Sequence, residues 1–330
     1  MNNYHPISVI LPVYNNASTI KNAVMSILNQ SFKDFELLII DDGSTDDLKV
    51  LINKIKDKRI SYHKIEHAGL GGAINYGLSI SRHNLIARMD SDDIAHPNRF
   101  EKQFKFIKEN PEADIVSCHY AVFVKDKIVY TVRPAGDHCS IRKNLLLYSD
   151  IIHSGVIYNK NIFEEVNPFP SQPFEDYSVW LKYKDRFRFA VVPEILMYYR
   201  LNAFSYSREN ILEKYKLHYK IQDEYYSDEG IAKFSLNETE KLYYRGFREY
   251  FYGDKNLARK YWNKLGLNIL SKPRVIIAYI LTFMSVKFVT CFKESRVKLR
   301  LIYIVEYFIS DNVKARGTFH KLINNQYENS

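Results

Sequence analysis

Asp90-Ser91-Asp92-Asp93 offers the densest set of metal-binding oxygens in this chain. It follows the apolar stretch Leu85-Ile86-Ala87, with Met89 close behind, and precedes a turn at His96-Pro97. Acidic side chains at the C-terminal end of a strand stand where an open α/β sheet presents its ligands. Carboxylates with no Cys or His among them suit a hard cation, Mg²⁺ or Mn²⁺, holding a diphosphate. A solvated turn uses the same residue types, so the neighbouring clusters decide the reading.

Three further clusters follow apolar runs. Pro12-Val13-Tyr14-Asn15 offers an aromatic ring that can stack on a base. Asp41-Asp42-Gly43-Ser44 offers a carboxylate that can accept an N–H from a base. Gly69-Leu70-Gly71-Gly72-Ala73 leads into a helical pattern, whose first N–H groups attract anions. The glycine run reads more readily as a tight turn than as a phosphate cradle. It is neither G-x-G-x-x-G nor a P-loop with its lysine, which argues against dinucleotide and ATP folds. Farther on, Glu175-Asp176 stands beside Phe174, Tyr177 and Trp180. A carboxylate partly buried among aromatics keeps its proton to higher pH and suits a general base. Acidic residues at a helix N-terminus are the competing explanation.

These clusters are positioned by alternating elements. Buried strands are expected at Ile7–Pro12, Phe35–Ile40, Ile60–His63 and Leu85–Met89, with helices at Asn15–Gln30, Asp47–Asp57 and Gly71–Ile80. Strands and helices alternating at this interval predict an α/β fold with a parallel, doubly wound sheet. A helix is then expected at Asn98–Lys108, and strands at Ile115–Phe123, Lys127–Val132, Ile151–Tyr158, Phe187–Val192 and Ile195–Tyr199. From Arg208 onward only helical patterns remain. Residues 1–207 are therefore expected to form the catalytic domain and 208–330 a helical C-terminal region.

Ile7 to Asn15, Asp41-Asp42-Gly43-Ser44-Thr45-Asp46, Gly69 to Asn75 and Arg88-Met89-Asp90-Ser91-Asp92-Asp93 together resemble family 2 glycosyltransferases of the GT-A fold, in order and spacing, over roughly residues 5–207. The resemblance implies a Rossmann-like nucleotide-sugar-binding domain with a mostly parallel central sheet. It implies an inverting transferase that moves a sugar from a UDP-sugar to a hydroxyl of a glycan or lipid-linked acceptor, in the manner of surface polysaccharide assembly. On it, Pro12 and Tyr14 border the uracil, Asp42 takes its ring N–H, and Asn15, Asn75 and Ser91 line the nucleotide sugar. Arg88 supports the pocket, Asp90 faces the ribose, and Asp92, with Asp90, holds Mn²⁺ or Mg²⁺. Glu175-Asp176 resembles the family's Glu-Asp motif, with Asp176 as base and Glu175 as second choice. His153 and Arg200 are implied on the acceptor or diphosphate side. Tyr199-Arg200-Leu201-Asn202 departs from the family pattern, because Asn202 replaces the expected His and is a poorer metal ligand. A silent nucleotide-sugar binder or scaffold and a sugar nucleotidyltransferase are the rival readings. The second would need a basic Gly-rich loop after the first strand, and Pro12-Val13-Tyr14-Asn15 is not one.

The first residues carry neither the basic start nor the apolar core of an export signal, and Cys118, Cys139 and Cys291 form no metal or disulfide spacing. A cytoplasmic location is expected. Of a net charge of +9, five arise from Pro273 to Ser330, where nine basic residues face four acidic ones. Val275–Val286 and Leu299–Ile309 are apolar but short of a bilayer span. Two readings of this tail stay open: an in-plane contact with anionic lipid at the inner face of the plasma membrane, or a helical pair packed on the catalytic domain or on a second copy of the chain. No aromatic-basic sheet motif supports a nucleic-acid partner.

Overall fold

The computed structural model describes residues 6–149, 151–201, 211–271 and 273–283. Two strands, β1 (Ile7–Val13) and β2 (Phe35–Asp41), are buried along their whole length. Continuous apolar sequence here means cover on both faces. Between them runs α1 (Ala17–Leu28), which turns Ile20, Ala23, Val24, Ile27 and Leu28 inward at the spacing of one helical face. After α2 (Leu48–Asn53) come β3 (Ile60–Lys64), α3 (Gly69–Ile80) and β4 (Leu85–Arg88). β3, β2, β1 and β4 lie side by side and parallel, as the alternation predicts. Helix α2 is shorter than the expected Asp47–Asp57.

The second half of the sheet is mixed. β5 (Ile94–Ala95), which no apolar run announced, is followed by α4 (Arg99–Glu109), β6 (Ile115–Val124), β7 (Lys127–Val132), α5 (His138–Asn144), β8 (Ile157–Asn159), α6 (Glu175–Lys182) and β9 (Phe189–Arg200). The sheet order is β3-β2-β1-β4-β8-β6-β9-β5, with β7 on β6. β8 joins antiparallel to β4 and β6, whereas β9 is parallel to β6. The two strands expected between Phe187 and Tyr199 are one. Its register shifts where Pro193 and Glu194 are skipped, because proline has no N–H to give the ladder. The expected strand at Ile151–Tyr158 instead begins as a 3₁₀ turn, His153–Gly155. Where β4 and β8 diverge, buried Arg99 donates to the carbonyls of Arg88 (2.9 Å) and Val156 (3.3 Å).

The chain divides into two compact units. Among the described residues, the first runs to Ile141 and resumes at Ser149 through β9. The second joins Arg142–Tyr148 to α7 (Ile211–Tyr226), α8 (Asp228–Ala232), α9 (Glu238–Tyr252), α10 (Lys255–Asn263) and α11 (Pro273–Leu281). In this second unit, buried Trp262 packs edge-on against Phe247 and fills the space that Gly246 leaves open. Gln222 Nε2 fastens Leu146 by its carbonyl at 2.9 Å. The expected boundary at 207 and the basic segments beyond 283 lie outside the described residues. Among the described residues no helix is long and apolar enough to cross a membrane.

The glycine run explains itself in three dimensions. A Cβ on Gly71 would lie 2.1 Å from the Pro170 carbonyl oxygen, so the start of α3 passes directly against the Phe169–Ser171 backbone. Asn75, one turn on, donates to the Phe169 carbonyl (2.7 Å) and accepts the Phe169 N–H (3.1 Å). Gly71→Ala is therefore expected to destabilise the protein by about 1–3 kcal/mol through overpacking. Urea unfolding measures this, and an unchanged midpoint would mean that the Pro170 segment yields without cost.

Candidate active site

β1, β2 and β4 run parallel, so the residues that follow them emerge at one edge of the sheet. Pro12 is buried within β1 opposite Ile40, and Tyr14, just past the strand, is 49% exposed. The His67 ring lies tilted against that of Tyr14, with centroids 4.4 Å apart. Asp42, buried at the end of β2, accepts the Ala68 N–H at 2.7 Å through Oδ1 and meets His67 Nδ1 at 2.9 Å through Oδ2. Asn15 adopts a left-handed backbone (φ 46°) and gives its Oδ1 to the Thr45 N–H at 2.8 Å. Its own N–H goes to Ser44 Oγ, so the loops after β1 and β2 are cross-tied.

Beside them lies the acidic cluster. Carboxylate oxygens of Asp90, Asp92 and Asp93 lie within 4.8 Å of one another. Burial, and then the charge of Asp90, push the Asp92 carboxyl up to about 6. Burial, and then the charges of Asp92 and Asp90, raise fully buried Asp93 well above the ordinary aspartate value. Asp93 Oδ2 has no hydrogen-bond partner among the described residues. Crowded carboxylates with an open buried oxygen fit a hard divalent cation, whose charge would relieve their repulsion. The Ser91 hydroxyl accepts Asn16 Nδ2 at 2.8 Å and so ties this loop to the start of α1. Arg200 donates its N–H to Asp93 (2.9 Å) and its Nε to the Asp92 carbonyl (2.7 Å), with its guanidinium over the Phe123 ring. Asn202 lies outside the described residues.

The third group comes from β8's approach and α6. The Ser154 hydroxyl accepts the Asp90 N–H at 3.0 Å, so the His153–Gly155 turn is anchored to the acidic loop. Buried His153 stacks on Phe169, meets Trp180 edge-on, and places Nδ1 3.3 Å from Glu175 Oε1. Burial holds its pKa down at about 3, so the imidazole is neutral. Burial raises the Glu175 carboxyl to about 6, and burial with the Glu175 charge does the same for Asp176. Phe174, immediately before them, sits in the left-handed region (φ 63°), a conformation that costs a non-glycine residue roughly 1–2 kcal/mol. Strain of this kind is concentrated at functional sites.

Arg88 joins the groups. It is 1% exposed and holds Asp90 Oδ1 at 2.6 Å. Burial works against its charge, but Asp90, Glu175 and Asp176 outweigh it and keep it protonated. One buried cation thus stands among carboxylates from both halves of the site. A separate cleft of about 580 Å³, lined by Pro6, Arg82, Leu85 and Tyr158 among others, lies at the opposite edge of the strands and gathers none of these acids. The sequence assigned no individual role to His67, Asn16 or Asp93. Asp93 was legible as part of the acidic run; His67 and Asn16 gave no local signal.

Residues 8–166 match the family described as Glycosyl transferase family 2. An uncharacterized glycosyltransferase of Rickettsia conorii is 34% identical over 178 residues, 53% of this chain but 29% of its own length. The chain thus spans less than a third of that relative. An Escherichia coli protein named UDP-Glc:alpha-D-GlcNAc-diphosphoundecaprenol beta-1,3-glucosyltransferase WfaP is 31% identical over 249 residues, covering 71% of this chain and 98% of that protein. Among solved structures, S. aureus TarS 1-349 in complex with UDP-GlcNAc superposes with a TM-score of 0.58 at 18% identity, over 84% of this chain and 81% of that one. At that identity the likeness is one of fold. With a family match over the strand-end motifs and a relative aligned over nearly its full length, this chain belongs to glycosyl transferase family 2.

Proposed function

We propose that the chain transfers one sugar from a UDP-sugar to a hydroxyl of a glycan or lipid-linked saccharide, with inversion at the anomeric carbon. The carrying observation is Arg88, buried between Asp90 of the acidic loop and the Glu175–Asp176 pair of α6. The name of the E. coli relative, with its diphosphoundecaprenol-linked acceptor, supports the acceptor class, and the TarS complex supports the donor class.

In this reading Tyr14 offers its face and Asp42 an acceptor to the uracil. Asp90 and Asp92 hold Mg²⁺ or Mn²⁺, which when bound offsets the charge of the departing diphosphate. Asp176 takes the acceptor's hydroxyl proton. It is the more solvent-open of the acidic pair, whereas Glu175 is covered and lies against His153. Neutral His153 holds Glu175, and burial together with the Glu175 charge keeps Asp176 basic enough to accept a proton near neutrality. Arg200, bonded to both Asp92 and Asp93, fixes the acidic loop at the end of β9. The basic tail is read as a contact with anionic lipid or with a second copy of the chain, at the cytoplasmic face.

Three outcomes test this. Asp176→Asn should lower sugar transfer at least ~100-fold, with UDP affinity by calorimetry unchanged; retained transfer would move the base elsewhere. Asp92→Asn should remove the dependence of turnover on added Mn²⁺ or Mg²⁺ and lower transfer by ~100-fold or more. A variant as active as the native chain with metal would exclude Asp92 as a ligand. The pH profile follows from the raised carboxyls. A base protonated below about 6 is inactive there, so kcat/KM should rise with pH through about 6, where the coupled acidic pair titrates. Glu175→Gln removes the neighbouring charge and should move this limb to lower pH. A flat profile between pH 5 and 7 would contradict the assignment.

A further inference from the structure

His67 belongs to none of the motifs and stands in the loop after β3. Its ring lies on that of Tyr14, with centroids 4.4 Å apart at 32°. Its Nδ1 is 2.9 Å from Asp42 Oδ2 and 3.0 Å from the Asp42 carbonyl. Both are acceptors, so Nδ1 carries a proton and donates. A flat ring that gives its face to Tyr14 and an N–H to Asp42 has the two features that a uracil imide would bring. Rings this close leave no room for a third between them.

The backbone here is pinned. Asp42 Oδ1 holds the Ala68 N–H, and a Cβ on Gly43 (φ 80°) would come within 3.2 Å of the His67 nitrogen. Among the described residues the side chain is held only by Asp42 and the Tyr14 ring, and its other side is open, leaving it 57% exposed. We propose that His67 is a resident stand-in for the nucleobase. It fills the base site of the free protein and rotates into solvent when the base arrives. This rests on the UDP-sugar reading of the same site.

The exchange sets a specificity. The arriving base must replace the lost donor to Asp42. Uracil does so with its N3–H. Cytosine presents a lone pair at ring N3 and leaves the carboxylate facing an acceptor, which a buried group tolerates poorly.

The test uses the full chain, the native protein and His67→Ala, titrated calorimetrically with uridine, UDP, cytidine and pyrophosphate. Freeing Asp42 and Tyr14 of one hydrogen-bonded ring should tighten uridine and UDP binding about fivefold. Pyrophosphate affinity should be unchanged, and cytidine should stay weaker than uridine. In the native protein, saturating uridine should shift the His67 ring proton resonances downfield as the imidazole leaves the Tyr14 face; pyrophosphate should not. Equal or weaker uridine binding by His67→Ala, or His67 resonances that uridine leaves in place, would overturn the stand-in while UDP binding by the native protein keeps the donor reading. If neither protein binds uridine or UDP, the donor reading fails and His67's role with it.

Discussion

A buried guanidinium organises this protein. Taking a charge out of water is costly unless carboxylates are brought to it, and Arg88 at 1% exposure satisfies that condition with Asp90 in contact and Glu175 and Asp176 within its field. The arrangement works in both directions. The carboxylates keep Arg88 protonated, and Arg88 moderates the rise that burial alone would give the two acids of α6. The Nε and Nη1 groups of Arg88 have no partner among the described residues, so hydrogen bonding alone does not account for its burial.

Around that charge, the loops at the strand ends are tied to one another. Asn15 holds Thr45, Asp46 holds the Ala17 N–H, Asn16 holds Ser91, Asp42 holds Ala68, and Ser154 holds Asp90. Each tie crosses from one loop to another. A site built this way is preorganised, because the entropy of ordering its loops is spent on folding and not on binding. Several side chains whose types suggested ligand contact, Asn15, Asn75 and Ser91 among them, serve this fastening.

Much of the first unit was readable in sequence. Apolar strands, helical periodicity and acidic residues after strands are short-range patterns, and they located β1 to β4, α1, α3 and the four strand-end clusters. The failures share one cause. β9 looked like two strands because Pro193 breaks a local pattern that the ladder simply bypasses. The glycine run looked like a turn because its function is to admit the Pro170 backbone, which lies far along the chain. Ile151–Tyr158 looked extended throughout because nothing local shows that Ser154 must turn to reach Asp90.

Sequence alone determined the kinds of chemical group available, their order along the chain, and the parallel α/β half that delivers them to one edge. Those follow from hydrophobic burial with period, which a window of a dozen residues expresses. Tertiary structure decided which neighbours each group has: that Asn75 clasps Phe169, 94 residues away, that Glu175 is buried while Asp176 is partly exposed, and that an unremarked His67 lies on Tyr14. Hydrogen bonds and buried charges are settled by whatever the fold brings within about 3 Å, and no local pattern encodes that neighbour.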